Sequence, residues 1–307
     1  MPRITEDKIS NAPATGMSDE VRGLWLGLLG VVLFAITLPM TRLAVGSSDA
    51  PQLDPIFVTA GRAAIAGVLS VFYLWFQRAT RPLRVHWGPL VACALGTVLA
   101  FPLLLSLALR HTHASHAAVI TGLIPLATAV VAVFYFKQRP SLGFWLCAIL
   151  GCVLVLLYAL FQGGGQVTGA DVLLLLAVVS TAIGYLGGAR VSADMPAPHA
   201  ICWVLVISLP FTAPVALATI PDEAIRWQSW AGLAYVSIFS MWLGFFAWYR
   251  GLVLGGVVRV SQVQLLQPFV AILFAVPILG ESLDVMTVVF ALAVIATVFI
   301  SKKMPTG

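Results

Sequence analysis

Charge is what this sequence has least of. Only 9% of its 307 residues are Asp, Glu, Lys or Arg, while hydrophobic types make up 60%. A soluble domain carries about 25% charged residues. So few polar groups cannot cover a water-facing surface, which leaves the lipid bilayer as the solvent. Cysteine is scarce too. Cys93, Cys147, Cys152 and Cys202 all fall inside apolar runs and none has metal-ligand spacing. They read as small packing residues, and no cofactor or metal is expected. There are no paired buried acids and no nucleophile motif such as G-x-S-x-G, which argues against an enzyme. No charged ring is visible, which argues against a channel.

What is present is a series of long apolar runs. A spanning helix needs about 20 apolar residues at 1.5 Å rise each. Ten segments qualify: 22–44, 55–77, 87–108, 113–136, 141–161, 170–190, 199–219, 230–249, 254–278 and 284–301. The expected fold is an all-α membrane protein of ten transmembrane helices. The connections are short and leave no room for a soluble domain. Residues 1–20 are polar and are expected to form a disordered cytoplasmic tail. The first apolar run has no small-residue cleavage site after it, so it reads as a retained helix.

Basic residues near helix ends set orientation. With the N-terminus inside, the inner segments hold twelve Lys and Arg: Arg3, Lys8, Arg22, Arg78, Arg81, Arg84, Lys137, Arg139, Arg190, Arg250, Lys302 and Lys303. The outer segments hold three, Arg42, Arg110 and Arg226, while Arg62 and Arg259 sit within spans. Both termini are therefore expected in the cytoplasm. The net charge of +5 reports this topology, and no nucleic-acid partner is needed to explain it.

The chain also repeats itself. Residues 31–36 (VVLFAI) return as 178–183 (VVSTAI), Trp87 and Leu90 as Trp230 and Leu233, and Pro125 as Pro268. Each proline precedes an apolar run and then a short polar turn: Lys137-Gln138-Arg139-Pro140 in one half, Gly280-Glu281-Ser282-Leu283 in the other. Five helices per half is an odd number, so the second half enters the membrane from the opposite side. The expected domains are a first repeat over 21–161 and an inverted second repeat over 170–303. Inverted repeats are common in secondary transporters, with the site between them near mid-membrane.

The order of these pieces resembles the drug/metabolite transporter superfamily, specifically its ten-helix EamA-type members. The likeness rests on Arg62-Ala-Ala-Ile-Ala opening the second helix, on Ala108-Leu109-Arg110-His111-Thr112-His113-Ala114-Ser115, on Pro125 and Pro268, and on the Gly280-Glu281 turn. It covers nearly the whole chain past residue 20, and within the superfamily it is nearest the aromatic amino acid exporter branch. Gln138 stands where the second half has Glu281, which speaks against an essential acid in the inner turn. The resemblance implies a multi-pass protein of the bacterial inner membrane that exports small metabolites, with membrane lipids around it, as a monomer or weak homodimer.

Arg62 lies about 12 Å into its span, where a charge costs about 2.5–3.5 kcal/mol on insertion scales. It reads either as a contact to a substrate carboxylate or gating ion pair, with Asp54 as a partner, or as a hydrogen-bonded tie to backbone carbonyls. The resemblance favours the tie, since family members with different cargoes share this Arg. Arg259 is close enough to an end to snorkel. None of the twelve acids falls near the middle of a span. Without a buried relay carboxylate, transport reads as facilitative or exchange, although coupling through His113 or His116 stays open.

Neutral polar residues mark the expected substrate site. Segment nine carries Ser261, Gln264 and Gln267 on one slanting face, with Gln262 elsewhere. Segment eight carries Tyr235, Ser237, Ser240 and Trp242; segment one, Thr37 and Thr41; segment six, Ser180, Thr181 and Tyr185 with three glycines. Single Ser and Thr residues also serve helix packing in membranes. Thr37, Thr41, Arg62, Tyr185, Ser240, Trp242, Gln264 and Gln267 are the candidate substrate contacts, suited to a zwitterion with an apolar side chain. Segments five and ten carry almost nothing polar beyond their ends and are expected at the periphery, the other eight surrounding the cavity. Seven prolines interrupt spans, and Pro125 and Pro268, at matched positions, are the expected hinges. A multidrug or other carrier of the same fold, proton-coupled, is the competing reading. A nucleotide-sugar carrier would call for several cavity cations, and the chain offers chiefly Arg62.

Overall fold

The computed structural model describes residues 18–137, 141–192, 194–255, 260 and 263–303. The tail before residue 18 and Gln138, Arg259, Ser261 and Gln262 lie outside the described residues. Among the described residues there are ten apolar helices and no strand beyond an isolated bridge between Gly46 and Pro51. Eight are long and apolar enough to cross a membrane: α1 (Asp19–Val45), α2 (Pro55–Phe76), α3 (Arg84–Leu109), α4 (Ala114–Tyr135), α5 (Leu142–Gln162), α6 (Gly169–Ser192), α7 (Ala197–Ala218) and α8 (Trp227–Gly255). Two shorter apolar helices follow, α9 (Gln264–Leu279) and α10 (Val285–Ser301).

Local chemistry sets several boundaries. Asp54 caps α2 by accepting from the Ile56 amide at 2.7 Å, with Pro55 in the first turn, where its missing N–H costs nothing. Thr168 and Asp171 form a reciprocal box at the start of α6. The Asp171 carboxylate accepts from the Thr168 amide, and the Asp171 amide donates to the Thr168 hydroxyl. Asp284 caps α10 through the Met286 and Thr287 amides. Helix α8 runs to Gly255, past the expected end at 249. Gly251 and Gly255 press against the backbone of Gly23 and Gly27 on α1, and this close packing carries the helix on.

Irregular turns recur at corresponding places. A π-helical stretch widens α3 at Ala94–Ala100 and α8 at Val236–Leu243. A 13-residue helix, Ile124–Phe136, has a 13-residue counterpart, Gln267–Leu279, 143 residues later. Each opens with a proline in its first turn and stops on a left-handed residue, Lys137 (φ 52°) and Gly280 (φ 71°). Packing pairs α1 with α8, α3 with α6, α2 with α7 and α5 with α10, while α4 crosses α9.

Helices α5 and α10 lean on each other through Tyr158, whose hydroxyl lies 3.0 Å from that of Thr287, and expose long rows of Leu, Ile, Val and Phe. Two details depart from expectation. Helix α10 is not wholly peripheral, because Ile295 reaches the wall of the central cavity. Helix α7 does not line that cavity. It is held behind α2, where Gly67 lets the Leu205 carbonyl and Leu209 come close.

Candidate transport cavity

At the centre of the bundle two adjoining voids of about 50 and 20 Å³ share Leu38, Thr121, Ile124, Tyr185 and Gln267 in their walls. The larger is walled by side chains of α1, α2, α3, α4, α6, α8 and α9, so both halves of the chain contribute. The expected contacts Thr37, Arg62, Tyr185, Ser240 and Gln267 meet there. Gln264 lines the smaller void, together with Pro125 and Pro268. Two expected contacts are elsewhere. Thr41 is fully buried but touches neither void. Trp242 lines neither void and packs its ring against Tyr73 and Phe246.

Arg62 is 2% exposed and is the one ionised side chain on these walls among the described residues. Its Nη2 donates to the Ser240 hydroxyl at 3.3 Å. Ser240 in turn accepts from the Thr37 hydroxyl at 2.7 Å. The Arg62 Nε and Nη1 donors have no partner. Among the described residues neither expected tie is made: Asp54 is occupied at its helix cap, and no backbone carbonyl accepts from the guanidinium. A buried guanidinium with free donors carries a desolvation cost that a carboxylate, able to accept two parallel N–H bonds, would offset.

The two ends of the bundle differ. At the end bearing Glu281, helix termini are laced together. Arg42 donates to the Leu109 carbonyl, and Arg110 to the Leu53 carbonyl at 3.0 Å. Gln52 accepts from the Arg226 amide at 3.1 Å. Glu281 (its side chain 7% exposed) accepts from the Ala114 and Ser115 amides at 2.7 and 3.0 Å, with His113 Nδ1 at 3.7 Å. Its charge thus sits at the positive end of the α4 dipole. Above this seal lies an open depression of about 930 Å³. The opposite end has fewer ties among the described residues: His86 to Asp194 at 3.0 Å, Trp203 to the Thr80 carbonyl at 3.2 Å, and Arg190 to the Tyr135 hydroxyl.

One polar pair was not anticipated. His116 Nε2 lies 2.6 Å from Asp171, both residues are buried, and Tyr158 stacks on the imidazole at 4.9 Å. The sequence signal for half of it is Thr168-x-x-Asp171 ahead of an apolar run, a capping box. Its partner, 55 residues earlier, comes only from the packing of α4 on α6.

A bundle of long apolar helices around an enclosed polar cavity, sealed at one end, is the form of a membrane carrier. The pattern of the EamA-like transporter family matches residues 21–160 and again 168–302. The chain belongs to the EamA-like transporter family. It is similar to the uncharacterized transporter YdeK of Bacillus subtilis, 42% identical across 94% of this chain and 99% of that one. It is more distantly similar to the uncharacterized transporters YyaM of Bacillus subtilis (25% identical, covering 89% of this chain and 91% of that one) and sll0355 of Synechocystis (26%, 75% and 76%). A solved crystal structure shares its fold over 92% of this chain and 96% of the other, with a TM-score of 0.62 at 15% identity. The protein is thus a multi-pass transporter of the bacterial inner membrane.

Proposed function

We propose that the protein exports small metabolites that carry a carboxylate and an apolar body, amino acids with aromatic or other apolar side chains foremost, by alternating access through the central cavity. In this reading all ten helices span the membrane as two inverted five-helix repeats, both termini lie in the cytoplasm, and the Glu281 end faces outward. The matched π-helices, prolines and left-handed stops support the repeat, as does the double family match. The observation that carries the function is Arg62, held by Ser240 with two donors unused in a cavity between the halves. Arg62 takes the carboxylate, Gln267 and Thr37 surround it, and Tyr185 offers an aromatic wall.

Small-molecule pockets run to about 300–1,000 Å³. Voids of about 50 and 20 Å³ are too small for such a cargo, so this is a closed state that opens by moving helices. Pro125 and Pro268, facing the smaller void, are the hinges. Transport is facilitative or by exchange. The direct test is counterflow of labelled amino acids in proteoliposomes of the purified protein. Saturable counterflow of at least one apolar amino acid is expected, lost in Gln267→Leu. Absence of counterflow across the panel, or unchanged kinetics in the variant, would remove respectively the cargo class or that residue.

A proton-coupled carrier is the second reading, favoured by the buried His116–Asp171 pair. A pH gradient imposed at zero membrane potential separates the two. Counterflow that ignores the gradient leaves the facilitative reading in place.

A further inference from the structure

Among the described residues the cavity has a partner for one charge only. Ten of the twelve acids are described, and every one of them (Asp19, Glu20, Asp49, Asp54, Asp171, Asp194, Asp222, Glu223, Glu281 and Asp284) lies at a helix end or in a connection. The other two, Glu6 and Asp7, precede residue 18. Among the described residues the cavity walls offer an ammonium group only neutral acceptors: the amides of Gln264 and Gln267 and side-chain hydroxyls such as those of Thr37, Thr97, Ser240 and Tyr185. A permanent cation taken out of water needs an ionised partner to offset its lost hydration. Beside Arg62 it would also meet a like charge across a low dielectric. A zwitterion therefore gains at its carboxylate and loses at its ammonium, whereas a simple carboxylate gains only.

We infer that, among the carboxylate-bearing cargoes proposed above, this cavity prefers the net anion to the amino acid, a monocarboxylate with an apolar body and no permanent positive charge, and that the membrane potential drives its efflux. The inference rests on the reading of the central cavity as the transport site. Over a full cycle every protein charge, Arg62 included, returns to its starting place, so one negative charge crosses per cargo. An inside-negative potential pushes that charge outward, and at about 2.3 kcal/mol per charge per 100 mV the limiting ratio is about 50-fold. No coupling ion is then required, which accords with spans whose middles contain no acid.

The test compares two probes of one skeleton, phenylalanine and its 2-oxo acid, phenylpyruvate, in proteoliposomes of the full-length protein. Counterflow of the oxo acid should exceed that of phenylalanine at least ten-fold. A potassium diffusion potential of 100 mV, set with valinomycin, should shift the steady-state oxo-acid ratio toward 50-fold and leave the phenylalanine ratio unmoved. Arg62→Gln should lose oxo-acid counterflow at least ten-fold. Arg62→Lys, which keeps the charge but not the bidentate fork, should retain part of it and guards against a merely unfolded glutamine variant. Phenylalanine carried as fast as the oxo acid, or an oxo-acid ratio indifferent to the potential, overturns the inference and leaves the transport reading standing. If neither probe is carried, the cavity reading and the inference fall together.

Discussion

The two halves of the bundle share their mechanical parts but not their polar ones. In each half a π-helix widens one helix, a proline opens a 13-residue helix, and a left-handed residue ends it. The side chains at the matched crossings differ. Where α1 meets α8, Thr37 donates to Ser240, which holds Arg62. Where α6 meets α3, Gly184 and Thr97 occupy the corresponding places and the backbones close up. Counted from the helix starts Pro55 and Ala197, the position of Arg62 is held in the second half by buried Val204. In the proposed transport cycle the duplicated parts would let either half move against the other, while the single polar crossing among the described residues would give the cavity one cation and its cargo one orientation.

The largest effect is expected where one crossing is forced to resemble the other. A Cβ on Gly184 would lie 2.1 Å from the Thr97 hydroxyl and 2.8 Å from the Thr97 amide nitrogen, too close for either to stay in place. Gly184→Ala should destabilise by about 1–3 kcal/mol, as overpacking does. Thr37→Ala at the matched site removes one hydrogen bond and should cost about 1 kcal/mol. Melting of the two variants in detergent checks the order, and equal melting points would mean that the crossings are not packed differently.

Next come the two prolines proposed as hinges. Pro125 and Pro268 sit in the first turn of their helices, where the missing N–H is not part of the helical ladder. Replacing either by Ala should therefore leave stability within about 0.5 kcal/mol while lowering transport several-fold. Normal turnover in Pro268→Ala would end its role as a hinge.

The seal at the Glu281 end should respond on a comparable scale, in the population of the closed state and not in turnover. Glu281→Ala frees two amides at the start of α4, a loss of the size of a helix cap, about 1–2 kcal/mol, or about a 5–30-fold shift in population. In a background without the four native cysteines, Ala118→Cys on the cavity wall should react that much faster with an impermeant maleimide added to intact cells. An unchanged rate would mean that Glu281 does not hold this end closed. The matched Gln138 lies outside the described residues, so the contrast between the two turns rests on sequence.

Much of this was readable beforehand because it depends on local pattern. Ten apolar runs, the matched prolines and the depth of Arg62 are properties of short windows. What was not readable depends on distant pairing. Ser240 is 178 residues from Arg62 and replaced the expected Asp54, which was nearer in sequence but used for capping. Trp242 was placed in the cavity by its mid-span position, yet a π-helix shifts helical phase, and the ring faces Tyr73 instead. Helix α7 carries Ser208 and Thr212 one turn apart, but their hydroxyls donate to carbonyls of their own helix, so this short polar pair did not tell packing behind α2 from a cavity wall. Asp171 was legible as a cap but not as the partner of His116.

The smallest effect concerns the two caps at the start of α5 and α10. Ser141 accepts from the Phe144 amide at 3.4 Å, while Asp284, 143 residues later, accepts from the Met286 and Thr287 amides at 3.2 Å each. The Met286 N–H, ahead of other causes, holds the Asp284 carboxyl below its ordinary range. A depressed carboxyl adds stability above its unfolded value of about 3.9 and loses it as pH falls through the lower folded value. Asp284→Asn keeps a capping oxygen but not the charge at the helix N-terminus, so it should cost no more than about 0.3–1 kcal/mol at pH 7. The cost should shrink as pH falls below the ordinary aspartate value of about 3.9, where the unfolded chain takes up the proton before the folded one does. Ser141→Ala should show a loss with no such pH dependence, because a hydroxyl does not titrate. Parallel melting curves for wild type and Asp284→Asn from pH 7 to pH 3 would mean that the second cap works, like the first, through its hydrogen bonds alone.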